Sequence, residues 1–71
     1  MMTPQEVYNI SYVQLSENIL LEQKQGYTYI EILVGHYPQK VVDQIINELN
    51  SKGWKAIVKQ NCDGKYLIIT E

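Results

Sequence analysis

A helix of about 22 residues opens this chain, and it carries apolar residues on two opposite sides. Placed at about 100° per residue over residues 4 to 25, Tyr8, Tyr12, Leu15 and Ile19 form one narrow stripe, while Ile10, Val13, Leu20 and Leu21 gather roughly opposite. A protein of 71 residues has one small core, and one core covers one stripe. The other stripe needs a partner. Periodicity is equally good for both, and the stripe of Tyr8, Tyr12, Leu15 and Ile19 is carried forward here as the candidate interface.

Size sharpens the constraint. A domain this small buries only about 60% of the surface its unfolded chain exposes, and such folds commonly add disulfides, a metal or oligomerisation to a core worth about 3–5 kcal/mol. Cys62 is the only cysteine and His36 the only histidine, so an internal disulfide is impossible and a closed zinc site cannot be assembled. Assembly is the remaining means of support. Hydrophobic residues at 45% and charged residues at 20% describe a folded globular chain. The net charge of −2 conceals an asymmetry: residues 1–51 carry Lys24 and Lys40 against six acids, whereas residues 52–71 carry four lysines against Asp63 and Glu71. Arginine is absent, which removes the planar fork used for bidentate recognition of phosphate and guanine, so specific duplex binding is not expected. The start lacks the charged and apolar regions of a secretory leader, and no apolar run approaches the ~20 residues that span a bilayer. We therefore expect no membrane association, a cytoplasmic location and no cofactor.

The first helix has a complete start signal. Thr3 at the N-cap, Pro4 at the first helical position and Glu6 three residues after the cap compose a capping box, with Met2 placed to pack on Val7. Gln25-Gly26 closes the helix, at a length of about 33 Å. Residues 27 to 34 then alternate as a strand, with Tyr27, Tyr29, Glu31 and Leu33 facing away from Thr28, Ile30, Ile32 and Val34. Pro38 opens a second helix with a single apolar stripe of Val41, Val42, Ile45, Ile46 and Leu49. Gly53 suits the left-handed position after its end, bringing Trp54 back onto Leu49. Strands over 54–59 and 65–70, joined by a turn containing Asp63-Gly64, complete the chain. The expected fold is α+β, a single domain over residues 1–71. It is a two-layer α-β-α-β-β sandwich whose three-stranded mixed sheet, in order 1-3-2, carries both helices on one face.

With Trp54, Ala56 and Val58 under the helices, the opposite sheet face collects Tyr29, Leu33, Ile57, Tyr66 and Ile68. A solvent face should be mainly polar, and a contiguous apolar patch of a few hundred Å² marks an interaction site. Lys55 and Lys59 lie on the same face. Beside Tyr29 and Tyr66 they resemble the stacking and phosphate contacts of single-strand binders, although lysines on a strand also discourage edge pairing and tyrosines also pack between subunits. His36 sits in the loop before the second helix, near its positive end, with no nucleophile or acid beside it in sequence. Together His36, Lys55 and Lys59 are the candidate ligand-binding residues. No catalytic or metal-binding set stands out: Cys62 is placed at a hairpin tip without a neighbouring base, and the carboxylates are dispersed.

Gly26 after a first helix, Leu49 late in the second, Gly53-Trp54 entering a hairpin and an apolar last strand resemble small α-β-α-β-β proteins encoded by tailed bacteriophages. Many of those close with Ile-x-Trp, where this chain has Ile69-Thr70-Glu71. The resemblance implies a viral accessory or virion-associated protein and transfers no catalytic residues. The expectation from residues and resemblance together is a non-enzymatic homo-oligomeric binding protein, a phage accessory factor that blocks or sequesters a host component, whether a host protein or a small ligand. The alternatives are a small virion or assembly protein, or an oligomer that traps a nucleotide-like small ligand between subunits.

Overall fold

The computed structural model describes residues 1–71. Its elements are α1 (Pro4–Lys24), β1 (Tyr29–Leu33), α2 (Gln39–Ser51), β2 (Lys55–Asn61) and β3 (Gly64–Thr70). The α-β-α-β-β order holds, and the sheet order is β1-β3-β2. Both ladders are antiparallel. Because β3 lies between them, β1 and β2 run the same way without hydrogen-bonding each other, so the sheet expected to be mixed has no parallel ladder.

Local chemistry sets the helix ends. The Thr3 hydroxyl accepts from the Glu6 amide at 3.2 Å and the Glu6 carboxylate accepts from the Thr3 amide at 3.4 Å, which satisfies two of the amides a helix start leaves free. At the end of α2 the Trp54 amide donates to the Leu49 carbonyl and the Gly53 amide to the Asn50 carbonyl, at 3.0 and 3.1 Å. That is the Schellman pair, and it holds Gly53 at φ +92°, a region costly for any residue with a Cβ. The bonds of Gly26 to Gln23 and of Tyr27 to Glu22 close α1 in the same way.

Eleven apolar residues form one core. Leu15 and Ile19 come from α1, and Val41, Val42, Ile45 and Leu49 from α2. Ile30, Val34, Ala56, Leu67 and Ile69 meet them from the sheet side. Each strand contributes alternate residues, so both helices cover the same sheet face. Tyr8 lines a hollow with Pro38 and Lys40, Tyr12 reaches Glu48, and Ile19 lies by Leu49 and Lys52, which means that α1 and α2 run in the same direction. No helix is long and apolar enough to cross a membrane.

Candidate functional site: an uncovered sheet face and a second helix stripe

Packing decides which stripe of α1 belongs to the core, and it is the one taken from sequence as the candidate interface. Leu15 is 0% and Ile19 4% exposed, so neither can meet a partner, and both must be removed from the interface set. Tyr8 and Tyr12 are half-buried against the core and stack on each other with ring centroids 6.3 Å apart. They are wall residues, open only at their rims. The stripe left over is Ile10, Val13, Leu20 and Leu21, which are 45%, 51%, 49% and 58% exposed.

The reason tyrosines serve the inner stripe is polar as well as apolar. The Tyr12 hydroxyl donates to the Glu48 carboxylate, 2.6 and 2.7 Å from its two oxygens, and Gln44 Nε2 donates to the same group at 2.9 Å. The Gln44 and Tyr12 donors hold the Glu48 carboxyl below its ordinary range. The Glu48 acceptor, with partial burial, pushes the Tyr12 phenol up. This tie between the two helices was not legible from the chain, where Glu48 reads as an outward position of α2; a half-buried tyrosine one helix away is the only hint. A folded-state carboxyl pKa below the unfolded value stabilises above the ordinary range and is lost as pH falls through it. Tyr12→Phe should therefore cost about 1 kcal/mol at pH 7, a charge-assisted bond discounted for its solvent exposure. The difference from wild type should shrink below about pH 4, as followed by urea titrations at several pH values.

The sheet face away from the helices forms a grid of three strands and three rows. Register places Tyr29, Thr70 and Lys55 in one row, Glu31, Ile68 and Ile57 in the next, and Leu33, Tyr66 and Lys59 in the third. All five apolar positions expected on this face are there. Tyr29 and Ile57 are 57% and 59% exposed, Leu33 is exposed, and Tyr66 and Ile68 are half-buried among their neighbours. Leu33, Tyr66, Ile68 and Ile57 are successive neighbours across the grid, so the apolar surface is one band with lysines along its β2 side. Glu31, on the β1 side, accepts from the Tyr29 hydroxyl at 3.2 Å, and this bond raises the Tyr29 phenol pKa.

The residues proposed for ligand binding are not brought together as a pocket. Lys59 pairs with Tyr66, but Tyr29 lies two rows from that pair, and Lys55 lies two rows from the end at which β1 runs on to His36. The His36 ring packs on Tyr37 at 4.2 Å. No three residues among His, Cys, Asp and Glu cluster closely enough to hold a metal ion. The three hollows of the molecule all run along α1, and none opens on the free sheet face. Cys62 is exposed in the two-residue loop of the hairpin.

No protein-family model, curated protein or solved structure matches this chain, so nothing in those comparisons links it to phage proteins. The geometry alone carries the functional reading.

Proposed function

We propose that the chain is a non-enzymatic, homo-oligomeric binding protein that acts by stoichiometric occupancy, and that the open sheet face is where it meets a protein partner. The observation behind this reading is the continuous band of Leu33, Tyr66, Ile68 and Ile57 on a face that nothing in the molecule covers. Small-molecule sites are concave and enclose most of their ligand. An apolar band without a hollow and with a charged margin has instead the form of a protein interface, with an apolar centre and a polar rim. Lys55 and Lys59 outnumber Glu31 on this face, which selects a partner surface bearing carboxylates beside its apolar contact. Nucleotide trapping draws less support, because Tyr29 and Lys55 lie two rows from the Tyr66–Lys59 pair and no hollow opens among these residues.

The test is capture of a partner from an extract of the source cells by wild type, Ile57→Glu, Lys55→Glu/Lys59→Glu and Leu20→Glu, with thermal shifts against nucleotides run in parallel. A defined protein should be retained in stoichiometric amount by wild type and by Leu20→Glu, and lost with Ile57→Glu or with the double charge reversal. Retention that ignores Ile57→Glu, or a clear thermal shift with a nucleotide and no retained protein, would reverse the assignment.

A further inference from the structure

We infer that the outer stripe of α1 is covered by the same stripe of a second copy, running antiparallel to it. The inference rests on the homo-oligomeric reading above and adds the surface, the occupant and the register. Measured around the helix from the buried Leu15, both Glu6 and Lys24 fall at about 180°, with Val13 and Glu17 within about 20° of that line, Ile10 and Leu20 within about 40°, and Leu21 at about 60°. The most outward line of α1 is therefore an apolar strip with an acid at one end and a lysine at the other. All seven residues are exposed, and apart from Glu6, whose carboxylate also accepts from the Thr3 amide, the hydrogen bonds within the fold use none of their side chains.

Charge chooses both the occupant and the direction. In a parallel pair, Glu6 would face the partner's Glu6, Glu17 the partner's Glu17 and Lys24 the partner's Lys24, three like pairs. In an antiparallel pair centred at the level of Leu15, Glu6 meets the partner's Lys24 at both ends. The same register sets Ile10 against the partner's Leu20 and brings Gln14 within a turn of the partner's Glu17, so the one charged group inside the strip faces Val13 with an amide at hand. The two helix dipoles also oppose each other in this arrangement. A helix of 21 residues spans about 31 Å, enough for one such pair to reach the lower end of specific interfaces, about 1,200 Å² in total. Area does not by itself fix affinity, and association in the micromolar range is the result expected of a contact at this end of the scale.

Sedimentation equilibrium on the intact protein tests this, with circular dichroism to confirm folding. Wild type, of 8.3 kDa, should approach twice that mass by about 100 µM. Leu20→Glu should weaken association at least tenfold, while Ile57→Glu should leave it unchanged. Lys24→Glu should weaken it several-fold at low salt, through carboxylates facing each other at both ends, and about 0.5 M salt should close the gap. Adding Glu6→Gln to Lys24→Glu removes that repulsion while retaining a residue able to complete the cap, and should recover part of the loss. Wild type that stays monomeric throughout would overturn both this inference and the homo-oligomeric reading. An oligomer broken by Ile57→Glu but not by Leu20→Glu would leave the homo-oligomeric reading in place and overturn the helix pair. Lys24→Glu that binds as well as wild type at low salt would overturn the antiparallel register.

Discussion

Leu67→Ala should remove about a third or more of the protein's stability at 25 °C. Leu67 lies on the central strand, pairs with Ile32 on one side and Val58 on the other, and is 0% exposed. Truncation there removes buried methyl groups at a point where two ladders hold the backbone in place, so the cavity cannot collapse and the loss lies near the middle of the leucine range, about 3–4 kcal/mol. Total stability for a chain of this length is about 4–10 kcal/mol. The thermal midpoint should drop by about 15–25 °C, while the urea slope stays unchanged because the same surface is exposed on unfolding. A loss under about 1 kcal/mol would mean that β3 is not the centre of the core.

Leu15→Ala and Leu20→Ala should differ by about 2.5 kcal/mol although they are the same change on the same helix. Leu15 has no exposed surface, whereas Leu20 is 49% exposed. The first should cost about 3 kcal/mol and the second no more than about 0.5 kcal/mol, provided that unfolding is followed below micromolar concentration, where association adds nothing. Equal losses, or a larger loss at Leu20, would mean that the helix is docked by its other side. The contrast also bears on partner binding, because Leu15 reads as a candidate interface residue on sequence and is a core residue in the fold.

Where the chain carries strong local signals, its structure was legible. Thr3, Pro4 and Glu6 start α1, the single stripe of α2 turns inward, Gly53 and Trp54 close it, and the apolar last strand takes the middle of the sheet as expected. Local signals fail where a second segment decides the outcome. Residues 27–34 alternate as a longer strand than β1, but β3 ends at Thr70, opposite Tyr29, so Tyr27 and Thr28 have no strand residue across from them. Conversely β2 runs on to Asn61 because Gln60 and Asn61 find Lys65 and Gly64 across the hairpin. The choice between the two stripes of α1 is of the same kind. Both are apolar, and the docked one differs in carrying Tyr12, whose hydroxyl meets the Glu48 carboxylate of α2. The open sheet face was legible in all five of its apolar positions, since alternation along a strand assigns faces without knowledge of the neighbours. Its three-row register, and hence the separation of Tyr29 and Lys55 from the Tyr66–Lys59 pair, follows only from the pairing.

This fold leaves Ile10, Val13, Leu20 and Leu21 of α1 exposed, and we propose that a further chain covers them. Amide chemical shifts followed over a hundredfold dilution test it residue by residue. Shifts at Ile10, Val13, Leu20 and Leu21 should move together along one binding curve, with Leu15 and Ile19 nearly still. Spectra that superimpose at every concentration, with those four residues unchanged, would contradict it.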